Sequence, residues 1–228
     1  MSLTPQDGIT RTAQLHEITE LSSLNIVTDL DEYLFFSLSN SMGIGIDQNT
    51  ELEIESFLQR PFPPKKESPD YEPSESRITL VLKRGSIAIA ADKISTLSII
   101  TVRIPNGEIR LYPSSFHLGY YETGTHIAVK TGNIAFSNAD SKERRFITAS
   151  EFIRISDQSA MLDEVAEIGD IETAMDERSS LMIDAAVHAS ERVVFKSGGK
   201  SGEMPYPIFI ARPEYFEQPS SRPYQFLD

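Results

Sequence analysis

The chain has 228 residues, with 34 Asp and Glu against 21 Lys and Arg, a net charge of −13. Phosphate backbones and anionic headgroups need clustered basic side chains, so this balance argues against nucleic acid and lipid surfaces as partners. There is no cysteine, which removes disulfides, thiolate metal sites and cysteine nucleophiles.

The hydrophobic share of 39% is lean for a compact globule, so part of the chain is expected to lie extended or against a neighbour. No window is long and apolar enough for a membrane helix. The N-terminus lacks the basic start and apolar core of a signal peptide, so an exported protein would carry this sequence as its mature form.

In chain order, residues 1–23 read as a polar N-terminal extension, with Leu15, Ile18 and Leu21 spaced for a short helix or a loose edge segment. From Leu24 the pattern is β: Asn25–Val27 and Tyr33–Leu38 are rich in strand formers. Leu52 and Ile54 alternate with Glu51, Glu53 and Glu55, which marks a sheet with one wet face. Residues 61–76 hold five prolines and predict a loop over the surface or an arm onto a neighbour.

The densest β stretch runs from Arg77 to Ser156. It predicts strands at Ile78–Leu82, Ser86–Ala90, Leu97–Ile104, Glu108–Leu111, His126–Val129, Asn133–Phe136 and Phe152–Ile155, with glycines such as Gly85, Gly107 and Gly132 at the corners. Ile87 and Ile89 alternate with Ala88 and Ala90, so one face is large and the other small, as in stacked layers or a narrow coil. The expected fold is mainly β, a sandwich, jelly roll or twisted solenoid over residues 24–156.

From Ser159 the period becomes helical. Residues 157–195 predict one or two helices broken near Gly169–Asp170, and 157–192 hold ten Asp and Glu against two Arg. Such a run is most often a solvated face. Residues 196–228 form an extended arm in which prolines are interleaved with Tyr206, Phe209, Tyr215, Phe216, Tyr224 and Phe226. These six, with Phe62 and Tyr71 of the Pro-rich loop, are the candidate interaction residues; the arm packs either on its own β unit or on another subunit.

Catalytic and metal chemistry find little footing. His16, His117, His126 and His188 are isolated, Asp29–Asp31–Glu32 lacks the rest of a calcium loop, and Gly198–Gly199–Lys200–Ser201 is not a complete phosphate loop. No catalytic residue, cofactor or metal is expected.

Three stretches carry a resemblance. They are Phe36–Asn40 with Gly43 and Asn49–Leu52; Leu82–Ile87 leading to Val102–Gly107; and Phe116, Gly124–Ile134 and Ile147–Glu151. Together, over residues 24–156, they resemble the FecR-like domain. The sequence departs from that pattern at Ile104, where Thr is favoured, at Pro113–Ser115, and at Ser150, where a turn glycine is usual. The resemblance implies an all-β, extracytoplasmic, non-catalytic domain. In the namesake regulators such domains lie beyond a membrane helix and relay a receptor signal to a sigma factor; neither that helix nor a sigma-binding segment is recognised here. The expected function is a non-enzymatic interaction protein that self-associates through its extensions into an oligomer, surface fibre or envelope assembly. The alternative is a signalling module that binds an envelope receptor or regulator.

Overall fold

The computed structural model describes residues 2–5, 8–12, 14, 18–21, 23–60, 70–139, 144–155, 165–167, 177–193 and 208–213. The fold is mainly β. The first six strands are β1 Ser2–Pro5, β2 Ile18–Leu21, β3 Leu24–Val27, β4 Leu34–Leu38, β5 Gly43–Ile46 and β6 Glu51–Gln59. Three long strands, β7 Ser76–Ala90, β9 Gly107–Tyr121 and β10 Gly124–Asn138, have 15 residues each, and β8 Ile99–Ile104 lies between the first two. β11 Arg144–Thr148, β12 Glu151–Ile155, β13 Val165–Glu167, helix α1 Glu177–Glu191 and β14 Ile208–Pro213 complete the described elements.

All the strands join one hydrogen-bonded network. The long strands change partners half-way. β7 pairs with β6 and β8 over its first half and with β5 and β9 over its second, while β10 runs along β9 and carries β12 and then β11 on its other side. The network therefore folds back on itself. Its inward side chains, from Leu3 and Phe36 to Phe136 and Ile155, form one hydrophobic cluster.

Each long strand also changes phase at its middle. Ile78, Leu80 and Leu82 point into the core at even positions, and Ile87 and Ile89 at odd ones. A strand alternates with period two, so only an inserted residue can make this switch. The irregularity falls near Gly85, which has φ +84°, a conformation an L side chain resists. Similar shifts occur in β9, from Leu111 to Phe116, and in β10, from Val129 to Ile134 beside Gly132. Gly85 and Gly132, expected as corners between separate strands, are thus bulges inside continuous ones.

The phase change turns Ala88 and Ala90 outward. With Ala128 they form a second cluster against Met182, Ile183 and Ala186 of α1. Gly43 and Gly45 of β5 extend this small-residue floor, so the helix backbone comes very close to the sheet. The helix end is satisfied by the sheet: Ser37 Oγ donates to the Ala189 carbonyl, and Ser41 Oγ to that of Ser190 at 2.7 Å. At the other end Arg178 donates to Asp47 Oδ1 at 2.5 and 3.0 Å and lies 4.8 Å from the centre of the Tyr33 ring.

Two expectations need correction. The three-residue spacing around Leu162–Ile168 predicted a helix, but Val165–Glu167 is a strand antiparallel to β12. An open sheet edge offers backbone partners to a short segment, which overrides a weak periodic signal. The one described helix begins at Glu177; the break at Gly169–Asp170 lies outside the described residues. The sheet also reaches beyond residues 24–156, for β1 pairs with β3, and β14 lies parallel to β2, β4 and β6.

Candidate protein-interaction face

On β8, β9, β10 and β11 the inward residues Ile100, Val102, Ile109, Leu111, Ile134, Phe136 and Ile147 are buried. The alternate residues face outward. Register places Thr101, Arg110, Ala135 and Phe146 in one row across the four strands. Arg103, Glu108, Ser137 and Arg144 form the next row.

This outward face is both apolar and basic. Phe146 is 56% exposed and Ile99 46%. The Phe146 ring centre is 6.2 Å from that of Tyr112, and the Arg144 guanidinium lies 5.2 Å from the Phe146 ring centre. Arg144 also donates to the Tyr112 hydroxyl at 3.1 Å, and Arg110 to the Ser98 carbonyl at 2.9 Å. Arg103 is neutralised by Glu55 at 2.8 Å and lies 3.9 Å from Glu108. Neither Arg110 nor Arg144 has a carboxylate within ion-pair distance among the described residues. Burial, with the neighbouring Arg144 charge, holds the Arg110 guanidinium below its ordinary value, although Tyr112 and Glu108 oppose this. An arginine stays charged under such a shift. Among the described residues two cations without a carboxylate in ion-pair distance thus sit beside exposed Phe146 and half-buried Tyr112, in a chain of net charge −13.

The same patch borders a strand edge. Among the described residues β11 pairs with β10 alone, so its far side presents backbone donors and acceptors.

A buried carboxylate ties the end of the Pro-rich loop to this region. Glu72 is 5% exposed. It accepts from Ser98 Oγ at 2.7 Å, the Ser95 amide at 2.8 Å and Gln59 Nε2 at 3.3 Å. Burial raises its pKa above the ordinary 4.5, more than these donors lower it. A raised carboxyl pKa means the fold prefers the protonated form. That stability is fully present below pH 4.5 and is lost as pH rises through the higher folded value. The urea midpoint of the wild-type chain should therefore fall over this window relative to Glu72→Gln, which keeps the shape and removes the titration; parallel pH profiles for the two proteins would refute the assignment.

The sequence-derived candidates divide. Phe209 is fully buried, packed edge-on against Phe36 at 4.8 Å between ring centres, and so belongs to the fold's own core instead of an outward contact. Tyr71, next to Glu72, is 64% exposed. Phe62, Tyr206, Tyr215, Phe216, Tyr224 and Phe226 lie outside the described residues. Sequence reasoning missed Ile99, Arg110, Tyr112, Arg144 and Phe146. Their signal was an arginine pair and an aromatic on the polar phase of strands, legible only once the register is known.

Among the described residues no three His, Asp or Glu side chains come together as a metal site, and no helix is long and apolar enough to cross a membrane.

No family model matches the chain, and no curated protein matches it at a significant level. Two crystal structures of a candidate anti-sigma factor from Parabacteroides distasonis ATCC 8503 resemble it, both at 12% identity. One, at 2.50 Å resolution, has a TM-score of 0.47 and aligns over 61% of this chain and 58% of its own. The other, at 1.65 Å, has a TM-score of 0.42 over 60% and 57%. The chain thus spans less than two-thirds of these neighbours' length.

Proposed function

We propose that this chain is a non-catalytic, FecR-like binding module that works outside the cytoplasm. Its partner is another protein, which lays an acidic, extended segment along β11 and across Arg110, Tyr112, Arg144 and Phe146. The observation that carries this reading is the pair of guanidiniums that, among the described residues, have no carboxylate in ion-pair distance and lie beside the Phe146 and Tyr112 rings. Aromatic and arginine side chains dominate the energetics of protein interfaces. An open strand edge adds main-chain hydrogen bonds to an incoming strand, with alternate side chains reaching the face. The charge of the patch selects an acidic occupant.

The FecR-like character is supported by where its motif residues fall. Pro105 and Asn106 form the β8–β9 turn, and Gly107 opens β9. Gly132, with φ +71°, accepts through its carbonyl from the Ala149 amide at 2.9 Å. Ser150, standing for the usual glycine, has φ +70°, the left-handed conformation for which glycine is favoured.

The test is calorimetric titration with a synthetic peptide that alternates Glu and Val. Binding is expected, weaker at high salt than at low, and reduced about tenfold or more by Phe146→Ala or by Arg144→Gln, both exposed positions. No binding, or binding indifferent to both substitutions, overturns the reading. So does light scattering that finds the purified chain already polymerised through this face.

A further inference from the structure

A second site lies at the other end of the sheet, beyond the N-terminus of α1. There Asp47–Asn49, Arg84–Ser86 and Tyr120–Thr123 surround a cavity of about 790 Å3. That is within the size usual for small-molecule sites, roughly 300–1,000 Å3. We infer that this cavity binds a neutral polyhydroxylated ligand, a carbohydrate, with Tyr121 as its stacking platform. The inference does not depend on the partner reading above.

The platform is built into the strand. A Cβ at Gly119 would lie 2.8 Å from both Cζ and Oη of Tyr121, so the ring lies down over the glycine backbone. His126 packs edge-on to the same ring at 5.5 Å between centres. The ring is nevertheless 41% exposed and lines the cavity. A flat aromatic surface held this way suits the C–H face of a sugar ring better than a flexible aliphatic side chain does.

The rim supplies the hydrogen bonds. Asn49 Oδ1 accepts from Arg84 Nη1 at 2.6 Å, and Gln48 Oε1 from the Asp31 amide at 3.3 Å. Each donor fixes which end of its amide is the oxygen, so both amide NH2 groups are left without a partner among the described residues. The Glu122 carboxylate and the Thr123 hydroxyl are also without partners there, so donors and acceptors both line the space. Charges on the wall balance, Asp47 and Glu122 against Arg84 and Arg178, which disfavours a strongly ionic ligand. Three residues at or next to this rim have positive φ, Asp31 at 65°, Asn49 at 51° and Gly85 at 84°. Non-glycine residues held there cost free energy that the surrounding structure must offset, and such positions gather at binding sites.

The experiment is calorimetric titration of the full chain with neutral hexasaccharides of gluco, galacto, manno and N-acetylglucosamine type, each to millimolar concentration. At least one is expected to bind, about tenfold or more weaker in Tyr121→Ala and close to wild type in Tyr121→Phe, which keeps the ring. Glu122→Gln, at an exposed position, should also weaken it. Thermal unfolding of each variant guards against misfolding. Absence of binding across the set, or a bound saccharide indifferent to Tyr121→Ala in a folded variant, overturns the proposal. Loss of saccharide binding with peptide binding intact separates this site from the β11 face.

Discussion

Gly43→Val will detach α1 from the sheet and destabilise the protein by about 3 kcal/mol, the upper end of what overpacking usually costs. The atoms in the way are backbone. A Cβ at Gly43 would lie 2.8 Å from the Ser190 amide nitrogen and 2.9 Å from the Ala186 carbonyl carbon, and closer still to the Ala186 oxygen. No rotamer change relieves that contact, so the helix must lift and expose Met182, Ile183 and Ala186, all buried in the wild type. Gly45→Ala is the control. Its nearest neighbours are ring atoms of Phe35, at 2.8 and 3.0 Å, and a side chain can swing aside. Urea unfolding supplies the stability, and amide exchange across Glu177–Glu191 reports the docking. A Gly43→Val protein with wild-type protection in the helix would show that α1 is not seated as described.

Phe209→Ala will cost about 3–5 kcal/mol, as for other buried aromatic truncations. Phe209 is 0% exposed and touches Phe36, and its carbonyl accepts from the Ser39 amide at 2.9 Å. Losing the ring should release β14 from β4 as well as leave a cavity. The wild-type unfolding midpoint should also be independent of protein concentration, because the strand that carries Phe209 belongs to the same chain. A midpoint that rises with concentration would mean that copies exchange this strand. That one measurement decides between self-packing and subunit-packing for this part of the arm.

The β class and the strands of the central stretch were legible because alternation is a local property. Ile78, Leu80 and Leu82 declare an inward face without reference to any other segment. The change of phase from Leu82 to Ile87 was equally visible, but it fits a turn as well as a bulge. Only the pairing of β7 with both β6 and β5 distinguishes the two. The small face at Ala88 and Ala90 was legible too, whereas its use as the seat of α1 was not.

The interaction face shows the same division. Arg144 and Phe146 share one face of β11, but Arg110 lies on β9, far from them in sequence, and nothing local joins it to them. Register brings Arg110 opposite Ala135, and Ala135 opposite Phe146. The aromatic arm was conspicuous by composition, yet its Phe209 is a core residue. Composition reports how much apolar surface a segment carries and is silent on what covers it. By itself the sequence determined the β class, the inward faces of the strands, the helical period after Glu177 and the acidic balance. All of these follow from side-chain chemistry at neighbouring positions. Tertiary structure alone decided the bulges, the seat of the helix, the place of Phe209 and the two clusters proposed as binding sites, because each depends on long-range pairing that brings distant segments into contact.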